Sequence, residues 1–148
     1  MNRLFRIALL ALTLTLCGAC EDKNEEQPWL KPNANNIAGT WQLAEFGGET
    51  LAEGTYVYIE FIRKDALFEM YQNVDSFPLR KLTGRFGITE EETGEYMIRG
   101  MYDHSVGDWK HVYRITEFTA GRMVWTAQDD EEDVSVYVHC DGIPEEIR

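Results

Sequence analysis

This chain of 148 residues carries 26 Asp and Glu against 14 Lys and Arg, which gives a formal net charge of −12 at pH 7. That balance argues against nucleic acid as a partner and against direct adsorption to anionic lipid headgroups, because both kinds of binding depend on clustered basic side chains. The length suits one domain, and a hydrophobic share of 44% is enough to build its core.

Residues 1–19 have the three parts of an export signal. Arg3 and Arg6 come first, an apolar run follows over residues 7–16, and small residues precede Cys20. The run is about half the roughly 20 residues that a membrane-spanning helix needs, so we expect the signal to be cleaved. Gly18-Ala19-Cys20 resembles the lipobox of bacterial lipoproteins, and the resemblance implies that Cys20 is acylated, with palmitate among the expected chains. An ordinary secretory signal that leaves Cys20 as a free thiol is the alternative.

Residues 20–35 predict an acylated, flexible and disordered tether. They are polar, contain Pro28 and Pro32, and show no sustained periodicity of a helix or strand. Trp29 and Leu30 are the sizeable apolar residues here, and both docking on the domain and a loosely ordered segment remain open. The acidic tract 21–26 resembles the export signal that carries some bacterial lipoproteins to the cell surface.

From residue 36 to residue 148 the sequence predicts one all-β domain. Short runs rich in aromatic and β-branched residues alternate with turn sequences. The runs predict eight strands, at residues 39–46, 55–63, 66–72, 79–89, 94–102, 109–118, 122–128 and 133–140. Nearly all the connections are too short for a crossover helix, so consecutive strands should pair antiparallel, in a sandwich or an up-and-down barrel. A barrel of eight strands is either filled by side chains or holds one small ligand.

Three segments of the domain carry a family resemblance. The first is Ile37-Ala38-Gly39-Thr40-Trp41-Gln42-Leu43; the second is Tyr58-Ile59-Glu60-Phe61 with Phe68-Glu69-Met70-Tyr71-Gln72; the third runs from Val136 to Ile147. Together they resemble the small lipocalin-like lipoproteins of Gram-negative bacteria. The resemblance implies an eight-stranded antiparallel up-and-down lipocalin-like barrel.

In such a barrel the resemblance places Trp41 across the floor, and Gly39 lets the backbone turn tightly. Where the family often has an arginine that stacks on this tryptophan, the present chain has His139. A neutral imidazole could stack there as well. The alternative is that Trp41 and His139 are ordinary core and strand residues without a special contact.

No group of residues in the sequence predicts catalysis, a cofactor or a metal. Asp103-His104-Ser105 are neighbours in the chain, whereas a catalytic triad is built from separated segments. The spacing of His104 and His111 fits no zinc pattern, and the acidic run 129–133 lacks the spacing and glycine of a calcium loop. Cys140 has no partner of the Cys-x-x-Cys kind. We therefore expect a protein that is not an enzyme.

Aromatic residues at alternating strand positions either line an apolar cup or fill the barrel, and the sequence does not separate these cases. The residues predicted to line a cup are Tyr58, Phe68, Met70, Tyr96, Tyr113 and Trp125. Our hypothesis is a monomeric outer-membrane lipoprotein, held by acyl chains on Cys20 and compatible with exposure at the cell surface, that binds a small hydrophobic molecule. The alternative is a filled barrel that docks a protein or glycan partner.

Overall fold

The computed structural model describes residues 27–74 and 81–148. The predicted signal peptide, Cys20 and the first part of the acylated tether, up to residue 26, lie outside the described residues. Within the described part, the regular structure is β-strand apart from one short 3-10 turn, Lys64–Ala66, and no helix there is long and apolar enough to cross a bilayer. The strands are β1 (Gly39–Phe46), β2 (Glu49–Thr50), β3 (Val57–Ile62), β4 (Leu67–Gln72), β5 (Lys81–Glu90), β6 (Tyr96–Tyr102), β7 (Gly107–Asp108), β8 (Tyr113–Phe118), β9 (Arg122–Ala127) and β10 (Asp130–Cys140).

Eight long strands close into an antiparallel up-and-down barrel. Each pairs with its sequence neighbour among the long strands, and β10 returns to pair with β1, where Trp41 lies opposite His139 and Leu43 opposite Tyr137. This closure confirms the predicted barrel and excludes the sandwich. β2 and β7 are two-residue additions that pair with β1 and β6.

Strand β8 begins four residues later than the predicted strand did. The Trp109 amide donates to the Gly100 carbonyl at 2.9 Å, and the register between β6 and β8 begins only where Ile98 meets Tyr113. Residues 109–112 are therefore not part of the regular ladder and run beside the C-terminal half of β6.

The alternation of side chains along β3 separates an inner from an outer apolar cluster. Val57, Ile59 and Phe61 are buried inside the barrel, whereas Tyr58 is buried on the outside with Tyr71 and Ile143. The outer cluster exists because the chain after β10 folds back over β3 and β4. Arg148 Nη2 lies 2.8 Å from Glu60 Oε2 and helps to hold that tail.

The described end of the predicted tether lies against the barrel. The Leu30 amide donates to the Phe118 carbonyl at 2.8 Å, and the Gly121 amide donates to the side chain of Gln27 at 2.9 Å. Leu30 packs on the core, while Trp29 stays 50% exposed. Leu30 therefore docks on the domain, whereas half of the Trp29 surface remains exposed.

Candidate functional site

One end of the barrel, called the floor here, is closed by Gly39, Trp41 and His139. The Trp41 ring is 1% exposed, its Nε1 donates to the Ile37 carbonyl at 2.8 Å, and the His139 ring stands edge-on to it with centroids 5.1 Å apart. Gly39 has φ +123°, and a Cβ there would lie 2.9 Å from His139 Nε2. The three residues that the resemblance brought together are therefore in contact.

The interior above the floor is filled by aromatic rings. Phe61 and Phe86 have centroids 4.8 Å apart, and Trp125 and Tyr137 have centroids 4.6 Å apart. Trp109 packs between Phe68 at 5.2 Å and Trp125 at 5.6 Å. Stacked, tilted and edge-to-face rings at these distances are a stable arrangement for a core, so aromatic side chains fill this part of the barrel.

The opposite end, called the mouth, opens into a cleft of about 530 Å³. That volume lies within the range of about 300–1,000 Å³ that is typical of small-molecule sites. The cleft is lined mainly by apolar side chains of β1, β3, β4, β8 and β10 and of the segments after β2 and β4. Among them are Leu43, Phe46, Leu51, Val57, Met70, Val74, Tyr113 and Tyr137. Phe46 and Val74 are 51% and 46% exposed, so the apolar lining continues to the rim.

Two tyrosines, Tyr113 and Tyr137, are among the residues that line the mouth cleft. Burial raises the pKa of both Tyr113 and Tyr137, and the nearby charge of Asp133 adds to the rise at Tyr113. Both phenols are therefore protonated at neutral pH and can donate a hydrogen bond. Ser135 also lines the cleft, and its side chain shares a hydrogen bond with the Tyr137 hydroxyl. The arrangement can orient an apolar molecule that carries a hydrogen-bonding group.

The six residues predicted to line a cup lie in different parts of the barrel. Met70 and Tyr113 line the mouth cleft. Phe68 and Trp125 are buried among other rings and belong to the filled interior. Tyr58 lies on the outer face of β3, and Tyr96 lies toward the floor, where Lys31 Nζ is 5.7 Å from its ring centroid.

Sequence reasoning missed most of the residues that shape the cleft, including Leu43, Phe46, Val57 and Tyr137. Val57 shares the inward face with Ile59 and Phe61, so the same alternation that suggested Tyr58 points to Val57 once the inward phase is known. Leu43 and Tyr137 are directly paired across β1 and β10. That pairing joins the two ends of the barrel sequence, and only the closed fold shows it.

His111 is the histidine with a clear carboxylate partner. It is buried, its Nδ1 lies 2.6 Å from Asp129 Oδ1, and its Nε2 lies 3.6 Å from Asp133 Oδ2. The hydrogen bond from His111 holds the pKa of the Asp129 carboxyl below its ordinary value. Within residues 27–74 and 81–148, no group of three or more His, Cys, Asp or Glu side chains is placed to hold a metal ion.

The cysteine at the end of β10 is partly buried. The Sγ of Cys140 lies 3.5 Å from the Thr40 carbonyl oxygen, and burial raises the pKa of the thiol. A raised pKa lowers the fraction of reactive thiolate at neutral pH. These contacts describe a packed strand residue.

Comparisons with known proteins agree with the architecture. A family model described as "Lipocalin-like domain" matches residues 37–125. Among solved structures, the NMR structure of a protein from Bacteroides uniformis ATCC 8492 matches with a TM-score of 0.53 and 15% sequence identity, covering 74% of this chain and 94% of that chain. At that identity the likeness shows the fold alone. A search of curated proteins found no significant match.

Proposed function

Because this chain belongs to the lipocalin-like domain family, matched over residues 37–125, we propose that it binds a small hydrophobic molecule at the mouth of its barrel without catalysing a reaction. The observation that carries this proposal is the open cleft of about 530 Å³ above a filled interior. An apolar lining would supply most of the affinity, and a few hydroxyl groups would fix the orientation of the ligand.

The shape of the site supports a ligand that enters only part of the barrel. Tyr113 and Tyr137 lie between the cleft and Trp125, with centroids 5.6 and 4.6 Å from that ring. A ligand would therefore rest on the tyrosines and against Val57 and Met70. A polar group on its inner end would meet the phenol hydroxyls, which burial keeps protonated.

We further propose that the barrel is presented from the outer membrane by acyl chains on Cys20. Replacing Cys20 with Ala should move the protein from the membrane fraction to the soluble fraction. The matched control is Cys17→Ala, which leaves the proposed acyl acceptor intact and should stay with membranes. Retention of Cys20→Ala in membranes would contradict acylation at this position.

The ligand proposal is tested with the full chain carrying Cys20→Ala, because removal of the proposed acyl chains allows work without detergent. Native mass spectrometry of this chain, purified from its own host, should find a noncovalent small molecule. Titration of the emptied protein with the neutral fluorophore N-phenyl-1-naphthylamine should give saturable enhancement at one site per chain.

Absence of both signals would overturn the carrier function. The second candidate, a docking module for a protein or glycan, is favoured by the filled lower interior and by the exposed rim residues Phe46 and Val74. A macromolecule that co-purifies in place of a small molecule, and that is released by changes at this rim, would support that candidate.

A further inference from the structure

A second cleft, of about 500 Å³, lies on the side of the barrel where residues 109–112 run beside β6. It is separate from the mouth, since the two clefts share no lining residue. Its charged lining residues are Arg85, Arg99, Lys110 and one carboxylate, Asp108. A predominantly cationic cleft is unexpected on a chain whose formal net charge is −12.

The two arginines of this side cleft have no ion-pair partner among the described residues. By contrast, Arg114 pairs with Glu95 and Arg122 pairs with Glu117, each at 3.1 Å. Arg85 lies opposite Met101 and Gly87 opposite Arg99, so the arginines are diagonal neighbours on the outer face. Diagonal pairs lie roughly 7–8 Å apart at Cα, where like charges repel each other unless an anion lies between them.

The surface between the arginines is open down to the backbone. A Cβ added at Gly87 would meet nothing within 4 Å, so the position across from Arg99 is empty space. Phe86, Met101 and Trp109 add apolar surface to the lining. A compact charged group could reach the backbone while an attached apolar part packs on these side chains.

One buried donor in a residue that lines this cleft lacks a hydrogen-bond partner. Trp109 is 8% exposed, and its Nε1–H has no hydrogen-bond partner among the described residues. His111 also lines the cleft, but both of its ring nitrogens face carboxylates, Asp129 Oδ1 at 2.6 Å and Asp133 Oδ2 at 3.6 Å. Buried donors without partners are uncommon, and a bound anion is one way to satisfy the indole N–H.

From this arrangement we propose that the side cleft binds a phosphorylated small molecule through its phosphoryl group. Three cationic side chains and one carboxylate leave an excess of positive charge that suits a phosphate monoester, whose charge near pH 7 is about −1.5 to −2. An arginine guanidinium can donate two parallel hydrogen bonds to two oxygens of one phosphoryl group. Such bidentate bonds both strengthen binding and orient the phosphoryl group. The proposal does not depend on the mouth cleft or on a hydrophobic ligand there.

The test uses nuclear magnetic resonance of the full Cys20→Ala chain titrated with phenyl phosphate at constant ionic strength. We expect saturable shifts of the Trp109 indole N–H and of the Gly87 and Gly100 amides. Replacing Arg85 and Arg99 together with Gln should weaken binding at least tenfold. The matched control replaces Arg63 and Lys64 with Gln, since both are exposed cations outside the cleft and their loss changes the net charge equally.

Three outcomes would overturn the proposal: shifts that do not saturate, equal weakening by the two double variants, or the same shifts with phenol, which lacks the phosphoryl group. Dihexanoyl phosphatidic acid, kept below its critical micelle concentration, distinguishes the source of the ligand. If dihexanoyl phosphatidic acid binds more tightly than phenyl phosphate, the natural ligand is a membrane lipid. If it binds more weakly, the natural ligand is a water-soluble phosphate ester.

Discussion

At the floor of the barrel Trp41 is 1% exposed and lies against His139, whereas at the mouth Phe46 is 51% exposed and borders an open cleft. The floor residues come from the first and last long strands, so their contact also closes the sheet. The mouth is edged by β2, the loop after it and the hairpin of β9 and β10, which form much less of the core. The difference separates stability, which depends on the floor and the rings above it, from recognition, which depends on the mouth.

The largest effect should come from removing the floor ring. Trp41→Ala should lower the free energy of unfolding by about 3–5 kcal/mol, because the change leaves a cavity and removes the donor to the Ile37 carbonyl. Urea unfolding of the Cys20→Ala chain measures it. Trp29→Ala is the matched control, since Trp29 is 50% exposed and its loss should change stability by less than about 0.5 kcal/mol.

Equal effects of Trp41→Ala and Trp29→Ala would remove the distinction between a structural floor and an exposed surface. Under conditions where the Trp41→Ala protein is folded, its affinity for N-phenyl-1-naphthylamine should stay within about twofold of the parent. The reason is that Trp41 does not line the mouth cleft. A large loss of binding in a folded Trp41→Ala protein would show that the two ends are coupled.

The next largest effect on stability is expected where the aromatic interior ends toward the mouth, beside Trp109. A Cβ at Gly100 would overlap the Trp109 ring, which packs against the core, so Gly100→Ala should cost about 1–3 kcal/mol by overpacking. Gly87→Ala, on the neighbouring strand with open space at its Cβ, should stay within about 0.5 kcal/mol. Urea unfolding again measures both, and a tolerated Gly100→Ala would mean that the interior yields at this level.

Much of the floor could be predicted from the sequence, because Gly39 and Trp41 are close in the chain and the family resemblance brings His139 of the last strand to Trp41. Gly39-Thr40-Trp41 is a contiguous motif, and the turn sequences placed most strands within about two residues of their observed ends. The faces of β3 were harder to assign. Val57 and Tyr58 are both buried, because the tail at Ile143 covers the outer face, so hydrophobic alternation does not show which residue points inward.

The mouth could be predicted only in part. Met70 and Tyr113 were identified, but Phe46 reaches the cleft through an irregularity in β1, where the pairing with β10 shifts between Leu43 and Glu45. A bulge changes the face on which the following residues lie. Nothing in the residue types around this position signals the shift, so strict alternation misplaces the rim.

A smaller effect is expected at the mouth, on affinity rather than on stability. Phe46→Ala should weaken N-phenyl-1-naphthylamine binding about fivefold, since a half-exposed phenyl group contributes on the order of 1 kcal/mol when a ligand covers it. Its unfolding free energy should change by less than about 0.5 kcal/mol. Trp29→Ala, an aromatic of equal exposure near the floor, is the control and should leave affinity unchanged. Unchanged affinity in Phe46→Ala would place the ligand elsewhere.

The smallest effect concerns the hydrogen bond that fixes the hairpin of β9 and β10 at the mouth. His111 Nδ1 donates to Asp129 at 2.6 Å and lowers the pKa of that carboxyl. A lowered folded pKa means that the ionised carboxylate stabilises the protein above its ordinary pKa of about 3.9, and that this stabilisation disappears as the pH falls through the folded value. Asp129→Asn should therefore lower the Tm at pH 7 slightly, and the difference from the parent should shrink as the pH falls below the ordinary pKa of about 3.9.

The control is Glu131→Gln. It removes the same charge from the same hairpin without removing a hydrogen bond to His111, so it should show no such dependence. Parallel pH profiles for the two variants would mean that general charge repulsion in the acidic turn, rather than the bond to His111, determines the stability of this part of the mouth.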